Sequence, residues 1–356
     1  MKFLHTSDIH IDSPLTSRLS AEKIRERKQE LLRNFSRLVL EARNRGAEAI
    51  IISGDLFDNE KISKKAIDTA FDIIEEAKDI TFFYLQGNHE GEAFIGSGRS
   101  IPENLLTFGK DWTYYRLDGV TVAGRSDIRE RMFDSLILPE ESKNIVLLHG
   151  ELKDRCAYPE SIGIKEAAGR NIDYLALGHY HSFGVEKIDD RGVAVYCGTP
   201  EGRGFDEVGD KGYSLLDTAG VGVRHQFIPF AKRRLHIVRV DISGILRTAD
   251  IKDKAEDSLK AIPSSDIVRL ELVGRYEPTL WKDIDGLERS LNGRYYYLEV
   301  KDSTRIAINP DDYKLDKSLK GEFIRTVSAD SSLSEEEKER IIACGINALM
   351  GEDLFD

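Results

Sequence analysis

AIIISGD, residues 49–55, decides how the chain is read. An apolar run rich in β-branched side chains stops at a Gly-Asp pair, the pattern of a buried strand that ends in a tight turn carrying a carboxylate. ITFFYLQGNH (80–89), NIVLLHG (144–150) and YLALGHYH (174–181) follow the same plan. Helical patterns lie between the runs. Residues 21–45 set Ile24, Leu31, Leu32, Phe35, Leu38, Val39 and Ala42 at helical spacing and end before Gly46. Residues 62–78 set Ile62, Ala66, Ile67, Ala70, Phe71, Ile73, Ile74 and Ala77 over more than one face, which reads as core or as the helix-packing surface of a homodimer. Buried strands alternating with helices give an α/β class, and the polar residues cluster just past the strand ends, where such folds place their sites.

The pattern changes after about residue 230. The Gly-Asp and Gly-His strand ends vanish, and strand-like RLHIVRVDI (234–242), IVRLELVG (267–274) and YYYLEV (295–300) flank a helical stretch near 250–261. This organisation predicts a first domain over 1–231, a smaller α+β domain over 232–325, and a C-terminal helix with an acidic tail over 326–356. The helix opens on a capping box, Ser334 with Glu337, and Ile341, Ile342, Ile346 and Leu349 form its apolar face, which docks on the smaller domain or on a partner. The 356 residues allow two domains with sizeable cores.

Composition excludes several classes. Apolar residues make up 40% and charged residues 32%, so neither a disordered nor a fibrous chain is indicated. Acidic residues outnumber basic ones by 63 to 51, a net charge of -12, which argues against a protein that coats nucleic acid with a generally basic surface. The three cysteines, Cys156, Cys197 and Cys344, lie far apart and form no Cys-x-x-Cys pair, as expected in a reducing compartment. MKFLHTSDIH turns polar too soon for a signal peptide and no apolar stretch is long enough to span a bilayer, so a cytoplasmic protein without membrane contact is expected.

Asp8 and His10 alone carry little weight, since such a pair often merely caps a turn. Their companions change that: Asp55 and Asp58 in GDLFD, Asn88 and His89 in GNHE, His149 in LLHG, and His179 and His181 in GHYH. Five of the eight histidines thus fall at predicted strand ends. Imidazoles, carboxylates and an amide oxygen form mixed shells suited to manganese, iron or zinc rather than to all-oxygen magnesium or calcium sites. Two such cations can bind a phosphoryl group, activate water and stabilise an in-line displacement. On the tight turn after Gly54, Asp55 is the best bridging ligand, His89 suits a general acid, and Glu90 reads as a supporting or surface group.

In their order, HTSDIH, GDLFD, GNHE, the lone His of LLHG and GHYH resemble the five motifs of the calcineurin-like metallophosphoesterase superfamily. Within it, HTSD-x-H and CGTPEGRGFDEVGDKG (197–212) resemble the SbcD-type DNA double-strand-break repair exonucleases, especially their YhaO-like branch. The resemblance covers roughly residues 1–217 and implies a β-sandwich flanked by helices, four layers αββα, with the smaller domain as a cap that sorts DNA. It implies Asp8, His10 and His181 on one metal, Asn88, His149 and His179 on the other, Asp55 between them, His89 as catalytic acid and Mn2+ as cofactor. Asp58 stands where some relatives have a histidine and takes a supporting role; His5 is expected to orient Asp8 or His10.

The implied activity is a Mn2+-dependent DNA exonuclease with single-strand endonuclease activity as a second capability, working with a separate SMC-like, SbcC-type ATPase. No G-x-x-x-x-G-K-[ST] sequence occurs in this chain to supply ATP hydrolysis through a P-loop. The alternative is a phosphodiesterase or phosphatase for nucleotides or other small phosphate esters, and a third reading is a binding subunit with incidental metals. DNA contact in an acidic protein has to be local. Residues 18–45 hold nine basic side chains against four acidic ones, and Arg99, Arg203, Lys232 and Arg233 are further candidate phosphate contacts; a solvated helix face, a connector loop and a basic linker are the plainer readings.

Overall fold

The computed structural model describes residues 1–350 except 14, 16–18, 60, 159–160, 278–279 and 308–309. Arg18 of the basic stretch and the GEDLFD tail lie outside the described residues. The chain divides into two units, Met1–Leu235 and His236–Asp356.

The first unit runs β1 (Lys2–Thr6), α1 (Ala21–Asn44), β2 (Ala49–Ser53), α2 (Lys64–Glu76), β3 (Thr81–Leu85), β4 (Leu105–Thr107), β5 (Thr113–Leu117), β6 (Val120–Gly124) and β7 (Lys143–His149). It continues through a small pair, β8 (Glu151–Lys153) and β9 (Ser161–Gly163), then α3 (Ile164–Ala167), β10 (Tyr174–Gly178), β11 (Gly184–Lys187), β12 (Val193–Tyr196), β13 (Gly212–Asp217) and β14 (Arg224–Pro229). Two six-stranded sheets result, ordered β14-β13-β1-β2-β3-β4 and β11-β12-β10-β7-β6-β5. β1 to β4 run parallel, as do β6, β7, β10 and β12, while β13, β14, β5 and β11 join antiparallel.

Alternation along the strands builds the layers. Phe3, Ile51 and Phe83 of one sheet meet Val122, Ile145, Leu147 and Ala176 of the other in the core between the sheets. Their neighbours Leu4, Ile50, Ile52 and Phe82 point the opposite way, onto Phe35 and Leu38 of α1 and Phe71 and Ile74 of α2. The wide stripe of α2 is therefore used within the unit, with Ile62, Ile67 and Ile73 packed partly buried against the same core. On the far side, Val146, Leu148, Leu175 and Leu177 are covered by Met132, Phe133, Leu136, Ile162 and Ala167. That outer layer consists of a 3-10 turn at Met132–Ser135 and the four-residue α3. The strands thus form a mixed sandwich whose helical cover is thick on the first sheet and thin on the second.

The second unit comprises β15 (Leu235–Asp241), α4 (Thr248–Leu259), β16 (Ile267–Val273), β17 (Arg275–Tyr276), α5 (Ile284–Leu291), β18 (Tyr297–Asp302), β19 (Arg305–Ile306), α6 (Leu319–Ala329) and α7 (Glu335–Met350). β15, β16 and β18 make a three-stranded sheet. The capping box forms: Ser334 N–H donates to the Glu337 carboxylate at 2.8 Å and Glu337 N–H to Ser334 Oγ at 3.3 Å. Ile342 and Ile346 of α7 join Val240, Leu270 and Ile324 in the core of this unit. The three cysteines are free thiols.

Candidate metal centre

Five parallel strands deliver the motif residues from the same kind of place, at or just beyond their C-terminal ends. Asp8 and His10 follow β1, Asp55 follows β2, Asn88 and His89 follow β3, His149 closes β7, and His179 and His181 follow β10. The loops after β1 and β2 are laced together: Asp8 N–H donates to Gly54 O at 3.1 Å and His10 N–H to Asp55 O at 3.2 Å. Asp8, His10, Asp55 and His179 all hold positive φ, of 50°, 49°, 50° and 103°. Such backbone costs on the order of 1 kcal/mol or more per residue and persists where the surroundings demand it. Glycine is demanded at two points. A Cβ on Gly178 would lie 2.0 Å from Ser53 O and 2.7 Å from His149 Nδ1; one on Gly54, at φ +97°, would lie 2.1 Å from His149 Nδ1.

Two groups of ligand atoms converge within 4.8 Å of one another: Asp8, His10 and His181, and Asp8, Asp55 and His149. Asp8 belongs to both, whereas the motif reading assigns the bridging position to Asp55 alone. In the first group, His10 Nδ1 lies 3.1 Å from Asp58 Oδ1 and His181 Nδ1 lies 2.6 Å from Glu207 Oε1. An ionised carboxylate only accepts, so the His181 ring carries a proton on Nδ1 toward Glu207, whereas His10 Nδ1 lies beside Asp58 without hydrogen-bond geometry. A longer approach of Arg203 Nη2 to His181 Nδ1, 3.4 Å, is weaker than the carboxylate contact. The two Nε2 atoms face each other at 3.3 Å, with Asp8 Oδ1 3.8 Å from that of His181. Two imidazole nitrogens and a carboxylate oxygen meeting at one point make a donor set for a cation.

The second group repeats the arrangement. His149 donates from Nδ1 to Ser53 O at 2.9 Å, and its Nε2 lies 2.8 Å from Asn88 Oδ1 and 3.3 Å from Asp55 Oδ2. Burial would lower the His149 pKa, but the hydrogen bond and charge of Asp55, with Asp8, push it up to about 9. Burial would likewise raise the Asp55 carboxyl, yet His149, with His10 and His89, holds it down to about 2. Both shifts are two sides of the one Asp55–His149 contact. A donor set of imidazole nitrogens, carboxylates and an amide oxygen turned inward fits two divalent cations of the manganese, iron or zinc kind. His179 stands apart from the two groups: its backbone N–H donates to both Asp8 carboxylate oxygens at 3.1 Å, and its ring packs edge-on to His149 with centroids 5.7 Å apart.

His89 is half-exposed at the rim. Its Nδ1 donates to the Asp58 carbonyl at 3.0 Å, which leaves Nε2 on the open side, 3.9 Å from Asp55 Oδ2. Asp58 therefore supports two histidines, by carboxylate and by carbonyl. A cleft of about 420 Å3 opens beside Asn88, His149 and His179, lined also by Ser126, Asp127, Glu151 and Tyr158.

Some supports escape sequence reading. Glu207, which fixes His181 from 26 residues away, lies in no catalytic motif, and burial of its carboxyl is outweighed by His181 and Arg203, which hold it down to about 2. Glu90 is fully buried rather than a surface group: it accepts from Tyr84 Oη and Phe57 N–H at 2.7 Å and from Gly87 N–H at 3.2 Å, tying the GNHE loop to GDLF. His5 is also fully buried, and its nitrogens go to Tyr174 Oη at 2.9 Å and Ser53 Oγ at 2.8 Å rather than to Asp8 or His10. Burial, with His225 nearby, lowers its pKa to about 3.

The four candidate phosphate contacts are engaged within the chain. Arg99 pairs with Asp68, Asp72 and Glu75 at 3.0–3.2 Å along α2. Lys232 and Arg233 pair with Glu30, and Arg233 also with Glu26. Arg203 spans Asp58 and Glu207. Except for Glu207, four residues from Arg203, their carboxylate partners are remote in sequence, which is why these side chains read as a basic surface. Arg25, Lys28 and Arg33 are exposed on α1 and form no ion pair with the described residues.

The profile of the calcineurin-like phosphoesterase family matches residues 1–183. The chain is 25% identical over 367 residues to the DNA double-strand break repair protein Mre11 of Sulfurisphaera tokodaii, covering 96% of this chain and 92% of the relative. Mre11 of Saccharolobus solfataricus is 26% identical, with 96% and 93% covered, and the uncharacterized metallophosphoesterase YhaO of Bacillus subtilis is 24% identical, with 77% and 72% covered. Among solved structures, TT1561 of Thermus thermophilus aligns with a TM-score of 0.43 at 16% identity, over 64% of this chain and 98% of that one.

Proposed function

This chain belongs to the calcineurin-like phosphoesterase family, and from that premise we propose that it is a DNA repair nuclease that hydrolyses phosphodiester bonds with two divalent cations, manganese being the working ion. The observation that carries the reading is the convergence of His10 and His181 Nε2 at 3.3 Å beside a second cluster of His149, Asn88 and Asp55. The DNA substrate is supported by similarity to two double-strand break repair proteins along 96% of the chain.

Following the motif resemblance, Asp8, His10 and His181 would hold one cation and Asn88, His149 and His179 the other, with Asp55 between; of these, Asp8, His10 and His181 converge, and so do Asp8, Asp55 and His149. When bound, the pair supplies positive charge for the phosphoryl oxygens and lowers the pKa of water for attack. The chain does the rest. Glu207 and the Ser53 carbonyl hold the outer nitrogens of His181 and His149 and so orient each Nε2 inward, and Asp58 lies beside the outer nitrogen of His10. His89, oriented at Nδ1 by the Asp58 carbonyl, would as the imidazolium give its Nε2 proton to the leaving oxygen. The exposed cations of α1 are a starting point for backbone contact. Exonuclease action with a single-strand endonuclease capability, a capping role for the second unit, an SMC-like ATPase partner and a cytoplasmic setting complete the proposal; no described helix is long and apolar enough to cross a membrane.

The test is end-labelled duplex and single-stranded DNA, alongside bis-p-nitrophenyl phosphate, with Mn2+, Mg2+ or EDTA. Degradation of DNA with Mn2+ that EDTA abolishes is expected. Cleavage of the small diester with DNA intact under every metal contradicts the nuclease and favours a small-ester phosphodiesterase.

A further inference from the structure

We propose that Arg203 is a positioning residue for one half of the metal centre alone: by clamping Asp58 and Glu207 together it fixes both His10 and His181 for the same cation. The proposal rests on the two-cation reading.

Asp58 lies 145 residues from Arg203 in sequence, on the loop after β2, whereas Glu207 lies four residues from it. The two carboxylates approach the outer nitrogens of two rings whose inner nitrogens are 3.3 Å apart. Two ionised carboxylates brought so near one spot repel. Arg203 lies between them. Its Nη1 holds Asp58, its Nη2 and Nε meet Glu207 Oε1 at 2.9 and 3.2 Å, and its backbone N–H donates to Glu207 Oε2 at 2.7 Å. Side-chain exposures of 18% for Arg203, 17% for Asp58 and 4% for Glu207 put most of this clamp out of water. A planar guanidinium reaches two carboxylates in one geometry, which a lysine ammonium does not reproduce.

The other half of the centre is built differently. The outer nitrogen of His149 goes to the main-chain carbonyl of Ser53, fixed by the sheet and by no single charged side chain. Loss of Arg203 therefore weakens one cation and spares the other, a selectivity that a general structural defect does not produce. Outer partners of metal-binding histidines typically contribute about ten- to hundredfold in affinity.

Direct titration of metal-free, full-length protein with Mn2+, by calorimetry and equilibrium dialysis, reads this without any assay of activity. Wild type is expected to take up two ions. Arg203→Met should weaken one of them by about ten- to hundredfold and leave the other unchanged, with Arg203→Lys in between. In a His149→Ala background, which keeps only the Asp8, His10 and His181 group, Arg203→Met should lower the affinity of the remaining ion; in a His10→Ala background it should not. Equal weakening of both ions, or no weakening, overturns the proposal. Should Arg203→Met fail to fold, Arg203→Lys carries the test, and wild-type affinity at both sites overturns it. A wild type that binds fewer than two ions overturns the two-cation reading itself, and the proposal with it.

Discussion

His10 and His181 face each other through Nε2 at 3.3 Å, with the outer nitrogen of His181 hydrogen-bonded to Glu207 and that of His10 3.1 Å from Asp58. The buried Asp8 carboxylate lies beside them, 3.8 Å from His181 Nε2, so imidazole nitrogens and a carboxylate converge on one spot as a cation site requires.

Asp55→Asn should reduce cleavage more than loss of any single histidine, because its carboxylate faces His149 at 3.3 Å and accepts from His89 N–H at 3.2 Å in the middle of the site. A fall of at least about a hundredfold is expected, with lower Mn2+ occupancy at both positions. Initial rates on labelled DNA and metal analysis of the same sample check both parts.

His89→Ala should cost roughly a hundredfold to ten-thousandfold on DNA, the range for a lost general acid. The loss should shrink on bis-p-nitrophenyl phosphate, whose nitrophenolate departs without a proton. Metal content should match wild type, because His89 lies outside both converging groups.

Gly178→Ala should destabilise the first unit and disturb His149 together, since the new methyl would sit 2.0 Å from Ser53 O and 2.7 Å from His149 Nδ1. A cost of about 1–3 kcal/mol for overpacking predicts a clear drop in melting temperature. Calorimetry with and without Mn2+ should show the metal-induced rise in melting temperature reduced as well.

Acid sensitivity should arise in part at Glu30. Burial works to raise its carboxyl, but hydrogen bonds from Arg233, Lys232 and Arg27 hold it down to about 2, against 4.5 for an ordinary glutamate. A depressed folded-state pKa gives stability that is present above about pH 4.5 and is lost as the pH falls toward 2. Glu30→Gln should therefore lower stability at pH 7, where Lys232 loses this ion pair while Arg27 keeps Glu201 and Arg233 keeps Glu26, and flatten the decline between those limits. Urea midpoints across that range decide it.

DNA affinity should fall steeply with added salt, and reversing Arg25, Lys28 and Arg33 to glutamate should weaken binding and make the salt slope shallower. Arg99→Ala should leave DNA affinity unchanged, since Asp68, Asp72 and Glu75 already neutralise that guanidinium. Fluorescence anisotropy at several salt concentrations separates the two.

The sequence is most legible where one residue type in one local pattern carries the chemistry. AIIISGD becomes β2 followed by Asp55, and the helical spacing over 21–45 becomes α1 over Ala21–Asn44. It is least legible where the partner is remote. Arg233 and Glu30 are 203 residues apart, so a junction that counts as basic along the chain is a neutralised network in space. His5 illustrates the same limit: its place in the first motif suggests service to Asp8 or His10, but its side chain points through the core to Tyr174, 169 residues away. Glu207 could be singled out only through its place in GRGFDE, because the contact with His181 depends on how the loop after β12 turns back.

Anomalous diffraction from crystals soaked in Mn2+, recorded at the manganese edge, tests the two-cation centre most directly. Two peaks are predicted, one between His10 and His181 beside Asp8, the other at His149, Asn88 and Asp55. No peak among these residues, or manganese bound elsewhere on the chain, would contradict it.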